Sequence, residues 1–221
     1  MQSAVSKDMS ANFRWQTDQQ VLDRFTLVDL FDENTRDEHL NRLMTEFGSP
    51  TRGHAASMTA KRIGYLAALM IYARIKHSVS IKPDQSEFIS IEETSAKAGW
   101  LPVYSFPLET AERSQPDMEW ITKELYAKVL VPLVELLAKE KGISRAVLFE
   151  NIYTYIKWIF NSILCDTAAI QQLVDIPSGE YGNVRRHPIA TYVSENRDIR
   201  KTCCLYYQTQ GAAKPCKTCP L

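Results

Sequence analysis

The sequence predicts a mainly α protein: a helical body, a small β element within it, and an irregular C-terminal segment. Three observations carry that reading. Apolar residues recur at helical spacing through most of the first 178 positions. Glycine is scarce, 8 residues in 221, against an average use of about 7%, and doubly wound nucleotide folds consume glycine in their turns and phosphate loops. Beyond Gly179 no helical period survives, and the tail is built of Gly, Pro, Arg, Tyr and Cys.

Taken in order, Val21, Leu22, Phe25, Val28 and Phe31 fall near helical spacing and predict a first helix. A second opens at Thr35, with Glu38 three residues on as in a capping box, and stops at Gly48 before Pro50. From His54 to about His77 the pattern predicts a long helix, apolar nearly all round in GYLAALMIYA and therefore central. Between about 79 and 107 the pattern changes. FISIE alternates and GWLPVYSF is rich in aromatic and β-type residues, which predicts a short β or extended insertion. Helix resumes from about Asp117 to Lys141, with a kink at Pro132 and an end at Gly142. Ser144 starts another, carrying Leu148, Ile152, Ile156 and Ile163 towards Cys165, which reads as a buried, inert thiol. Phe149, Tyr153, Trp158 and Phe160 read as core. The predicted organisation is a helical body over 1–178 and a metal-bearing C-terminal segment over 179–221.

A chain of 25.2 kDa with 45% hydrophobic and 24% charged residues can bury a real core. Lys+Arg 26 against Asp+Glu 26 gives zero formal net charge, which argues against a generic nucleic-acid or membrane-surface binder. The opening MQSAVSKDMSANFRWQTD has no apolar h-region, so no secretory signal is expected. The longest uncharged apolar stretch, Ile63 to Ala73, is far short of the roughly 20 residues that span a bilayer. The expected location is the cytoplasm, where structural disulfides are disfavoured.

Four of the five cysteines lie in the last nineteen residues: Cys203, Cys204, Cys216 and Cys219. Crowded thiols in a reducing compartment point to metal or redox chemistry. Cys216-x-x-Cys219 lets two sulfurs converge on one metal, while the adjacent Cys203-Cys204 need a turn in the backbone, since neighbouring side chains of a strand point apart. Four thiolates suit a [2Fe–2S] cluster, a [4Fe–4S] cluster or a structural zinc, and spacing alone leaves these open beside a disulfide pair or a free-thiol tail.

The ending RKTCCLYYQTQGAAKPCKTCPL resembles the siderophore-iron reductase family, the FhuF-like ferric reductases. HAASMTAKRIGYLAALMIYA and LFENIYTYIKWIFNS are more weakly similar to that family's helical body. The resemblance implies a [2Fe–2S] cluster on Cys203, Cys204, Cys216 and Cys219. The eleven residues between the cysteine pairs are one more than the family's ten, a change that costs little loop-closure entropy. It further implies one-electron reduction of a ferric siderophore, releasing Fe²⁺ that the hard oxygen ligands hold poorly. The implied electron donor is a ferredoxin- or flavin-type protein or a reduced nicotinamide. With zero formal net charge, no nucleic-acid partner is expected.

Arg185, Arg186, Arg197, Arg200 and Lys201 fall within seventeen residues, opposed by Glu195 and Asp198. A basic approach to the cysteines would steer anionic ferric siderophores; the alternative is a solvated loop. Tyr206 and Tyr207 read as cluster shielding, contact with a flat ligand, or simple packing. His39, His54, His77 and His187 form no i, i+4 pair and read as satisfied or surface residues. SGEYGN is no phosphate loop, so no self-contained nicotinamide site is expected. The competing reading is a ligand-binding or scaffold protein whose four cysteines hold structural zinc.

Overall fold

In the computed structural model, residues 2–15, 23–46, 48–83, 87–90, 102–108, 115–193, 199–209 and 218–220 are described. The chain runs α1 (Gln2–Asn12), β1 (Asp23–Thr26), a 3₁₀ turn (Val28–Phe31), α2 (Glu33–Glu46), α3 (Arg52–His77), β2 (Glu87–Ser90) and β3 (Val103–Ser105). It continues as α4 (Asp117–Glu119), a π-helical stretch (Trp120–Leu130), α5 (Val131–Leu137), α6 (Arg145–Trp158), a second π stretch (Ile159–Ile163) and α7 (Ala168–Asp175). Short 3₁₀ turns follow at Ser178–Tyr181 and Tyr206–Gln208. The fold is mainly α.

The predicted long helix is α3, and an apolar helix of this kind must be surrounded. Between Gly53 and Arg74 every residue is buried except Lys61 and Tyr65. Thr51 caps its start by accepting from the His54 N–H at 3.1 Å, and Ser78, with φ 55°, ends it. α6 is its main partner, opened by Ser144 as the sequence predicts, with the Ser144 hydroxyl accepting from the Val147 N–H. The two backbones approach so closely at Gly64 that a Cβ there would stand 2.8 Å from Ile152 Cα. α2 lies along α3, and α1 is tied to its far end by Asp8, which accepts from Tyr72 Oη at 2.8 Å and meets His77 Nε2 at 2.7 Å.

Several expectations are corrected. Over residues 23–31 the predicted helix is instead strand β1 followed by the 3₁₀ turn, while Val21 and Leu22 lie outside the described residues. β1 pairs antiparallel with β2, and β2 with β3, in the order β1-β2-β3 with Arg24 opposite Ile89 and Phe88 opposite Tyr104. Backbone pairing with strands over sixty residues away overrides the local apolar spacing. The β insertion stands as predicted, but its sheet recruits this N-terminal strand; Leu101 and residues 91–100 lie outside the described residues. α2 begins two residues before Thr35, because Asp32 is the effective cap: its carboxylate accepts from the Thr35 N–H at 2.9 Å and the Thr35 hydroxyl at 3.0 Å. Those bonds hold the Asp32 carboxyl below its ordinary range.

At Pro132 the hydrogen-bond register changes. Upstream it is π, the Val131 N–H reaching Tyr126 O; from Val131 it is α, with Pro132 in the first turn where a missing N–H costs nothing. Helix ends at Leu137, and Gly142 (φ +83°) completes the turn. Cys165 is exposed, not buried. The second π stretch closes with the Asp166 N–H on Phe160 O, which leaves Cys165 at the left-handed reversal, φ 53°, outside the apolar face. Phe149, Tyr153 and Phe160 are buried and Trp158 half-buried, as read from sequence. Tyr181 and Ile189, both 0% exposed, extend the same core beyond residue 178. Among the described residues no helix is long and apolar enough to cross a membrane.

Candidate metal centre

The cysteine segment is seated on the packed pair α3 and α6. On α3, His54, Ser57 and Lys61 are spaced three and four residues apart and so share one face. Each meets the segment around the first cysteine pair. His54 Nε2 is 3.2 Å from the Thr209 hydroxyl, Ser57 Oγ donates to the Cys204 carbonyl at 2.7 Å, and Lys61 Nζ lies 4.0 Å from Cys204 Sγ. The Lys61 ammonium also stands 4.5 Å from the centre of the Tyr206 ring. Burial holds the His54 imidazole below its ordinary pKa, with the Lys61 charge adding and a bond to Leu205 backbone opposing.

α6 supplies a buried anion. Glu150 is 3% exposed, and its two carboxylate oxygens accept the backbone N–H groups of Lys201 and Thr202, each at 2.7 Å. The Thr202 hydroxyl bonds the same carboxylate. Arg200 Nε stands 3.7 Å from Glu150 Oε2, with side-chain exposures of 8% and 4%. Beside it Asn151, fully buried, accepts from Arg200 Nη2 at 2.6 Å and donates to both Ser57 O and Ser57 Oγ at 2.9 Å. A continuous polar network thus runs Glu150–Arg200–Asn151–Ser57–Cys204, joining both helices to the residues before and within the cysteine pair.

This network sets the sulfurs. Leu205, at φ 64°, turns the backbone so that its N–H points at Cys203 Sγ, 3.3 Å away; this is the turn that adjacent cysteines require. Arg200 N–H donates to Thr218 O at 2.9 Å, drawing Cys219 alongside. Cys203 Sγ and Cys219 Sγ are 3.8 Å apart. Two thiolates on one tetrahedral metal, with metal–sulfur bonds of about 2.3 Å, stand about 3.8 Å apart, so this donor pair fits one metal ion, iron or zinc alike; among the described residues no third Cys, His, Asp or Glu joins it in a group that could hold a metal ion. Cys204 is 3% exposed, beneath Lys61 and Tyr155. Cys216 lies outside the described residues. Burial pushes the Cys203 thiol pKa up, the neighbouring Cys219 and Cys204 sulfurs adding to it and the Leu205 N–H opposing. Coordination to a cation removes that cost by favouring the thiolates.

Of the basic residues predicted to approach substrate, Arg185 and Arg186 are exposed. Arg200 points inward to Glu150 and Asn151, and Lys201 Nζ bonds the Thr191 carbonyl. Arg197, Glu195 and Asp198 lie outside the described residues. Tyr207 is 37% exposed, whereas Tyr206 packs against the core. The histidines are satisfied as expected: His39 by Thr59 at 3.1 Å, His54 by Ser49 and Thr209, His77 by Asp8, and His187 by the Ile176 carbonyl and the N–H groups of Ile189 and Ala190.

Residues 200–221, the stretch that holds all four crowded cysteines, match the family model described as the FhuF 2Fe-2S C-terminal domain. This C-terminal stretch is similar to a FhuF-type 2Fe–2S domain. Its cofactor is a [2Fe–2S] cluster. No curated protein matches the chain.

The sequence reading missed Ser57, Lys61, Glu150 and Asn151. A signal exists for each. Glu150-Asn151 interrupts the apolar run LFENIYTYI, and His54, Ser57 and Lys61 recur at helical spacing along one face of α3.

Proposed function

We propose that this protein is a cytoplasmic ferric-siderophore reductase whose [2Fe–2S] cluster is held by Cys203, Cys204, Cys216 and Cys219. The match of residues 200–221 to the FhuF 2Fe–2S domain carries the reading. The division proposed is a helical body over 1–178 and a cluster-bearing segment over 179–221. When bound, the cluster supplies one-electron chemistry. The substrate's Fe³⁺ gains one electron and leaves its hard oxygen ligands as Fe²⁺. The electron comes from a ferredoxin- or flavin-type protein or a reduced nicotinamide.

The chain's own residues have three tasks in this reading. Glu150 and Asn151 dock the stretch before the cysteines, which holds Cys203 within 3.8 Å of Cys219 before the cofactor arrives. The Leu205 N–H donates to Cys203 Sγ, and hydrogen bonds to ligand sulfur are one way a protein sets a cluster's potential. Arg185 and Arg186, exposed and cationic, attract anionic chelates. No general base or nucleophile is needed, since no bond to carbon, phosphorus or a proton is remade.

The test is anaerobic. Protein reduced with dithionite and desalted is mixed with a ferric trihydroxamate, a ferric catecholate or ferric citrate. The reading expects reoxidation of the visible spectrum with Fe²⁺ appearing in a ferrozine trap. A reduced protein that none of the three chelates reoxidises refutes it.

A further inference from the structure

We infer that Lys61 is a positioning residue whose charge sets the reduction potential of the cluster; the inference rests on the cysteine ligation proposed above. Lys61 and Tyr65 are the two residues between Gly53 and Arg74 that α3 does not bury. Lys61 projects from that helix to the cysteine segment, and its ammonium stands 4.0 Å from Cys204 Sγ. The position is fixed from both sides. Its helix is anchored along its length in the core, and the face of the Tyr206 ring lies 4.5 Å from the ammonium. Ser57, one turn earlier, fixes the backbone of the same cysteine through the 2.7 Å bond to its carbonyl.

The chemistry follows from charge. One-electron reduction adds one negative charge to the cluster and its thiolates. A fixed positive charge at this distance stabilises the reduced form more than the oxidised one. Cys204 is 3% exposed, and a group shielded from water feels a neighbouring charge more strongly than one in solvent. The Arg200 guanidinium faces the Glu150 carboxylate at 3.7 Å, so it contributes less net field than its formal charge implies.

The experiment measures midpoint potentials of the cluster-loaded full chain, by dithionite titration with mediators, in wild type, Lys61→Met and Lys61→Arg. Lys61→Met keeps the stem and removes the charge. It is expected to load iron and sulfide like wild type, with an equilibrium constant for reduction about tenfold lower, which for a one-electron couple is about 59 mV more negative. Lys61→Arg is expected within threefold of wild type. A Lys61→Met protein within threefold of wild type overturns the inference while leaving the ligand assignment standing. So does loss of the cluster in Lys61→Met with retention in Lys61→Arg, which assigns the charge to holding thiolates. A wild-type chain that loads no cluster overturns the ligation itself, and the inference with it.

Discussion

Replacing Glu150 by Gln removes one charge and one acceptor from the point where α6 holds the cysteine segment. The carboxylate accepts from Lys201 N–H and Thr202 N–H on different oxygens, each at 2.7 Å, and faces the Arg200 guanidinium at 3.7 Å. A glutamine offers one acceptor oxygen, so its amide NH₂ confronts one of the two backbone donors. Hydrogen bonds to charged groups contribute about 1.5–3 kcal/mol each, and removing one partner of a buried ion pair costs about 3–5 kcal/mol. The segment can relieve the conflict by undocking into water, so the cost is limited to its docking free energy. We take about 3 kcal/mol, a little over a hundredfold in an equilibrium constant. The predicted effect is therefore local. Amide exchange at Lys201 and Thr202 should accelerate by roughly that factor, and a chelator should strip iron faster, while helices α3 and α6 keep their protection. Glu150→Gln combined with Arg200→Gln should cost less than the sum of the single changes, since the second removes the charge stranded by the first. Exchange at Lys201 and Thr202 within threefold of wild type in Glu150→Gln would refute the clamp.

Gly64→Ala forces a Cβ to 2.8 Å from Ile152 Cα and 3.1 Å from Tyr155 Cδ2, so it should lower the urea midpoint by about 1–3 kcal/mol equivalent; an unchanged midpoint would contradict the close α3–α6 approach. His39 is held down to about 3 by burial, with the Arg62 charge adding, against an unfolded value near 6.5. The unfolded chain then binds the extra proton first, so stability present at neutral pH is lost as pH falls from 6.5 towards 3, by up to about 1.4 kcal/mol per unit. Urea unfolding of wild type and His39→Gln at pH 7, 6 and 5 should show the shallower dependence in the variant, and parallel curves would be contrary. Arg185→Gln with Arg186→Gln should slow reduction of an anionic ferric siderophore by about tenfold or less in dilute buffer. The difference should vanish near 1 M salt, where the Debye length is about 3 Å, and a neutral trihydroxamate should be spared; equal low-salt stopped-flow rates would reject steering.

The legible parts of this fold are those written in local pattern. α3 announces itself through an apolar run too long for a strand, and Ser144 caps its helix by ordinary side-chain chemistry, as its place before the apolar period signals. β1 was illegible because its four residues are held by a partner strand far along the chain, and the same apolar residues suit a helix. Cys165 follows an apolar run in sequence, but the run's face ends where the backbone reverses. The cysteines were legible because crowding of reactive residues is itself a pattern. Their support was not. Ser57, Lys61, Glu150 and Asn151 are single polar residues inside apolar helices, and only the packing of α3 on α6 brings them to one place. Arg200 shows the converse: as a sequence feature it reads as a charge for substrate, and in the fold its guanidinium turns to Glu150 and Asn151.

The most direct measurement is the visible spectrum with iron and sulfide content of five anaerobically purified proteins: Cys203→Ser, Cys204→Ser, Cys216→Ser, Cys219→Ser and Cys165→Ser. Each of the first four should bleach or change its spectrum strongly. Cys165→Ser, altering an exposed thiol at a helix end, should keep two irons and two sulfides per chain with an unchanged spectrum. A full wild-type spectrum in any of the first four, or loss of the cluster in Cys165→Ser, would contradict the account.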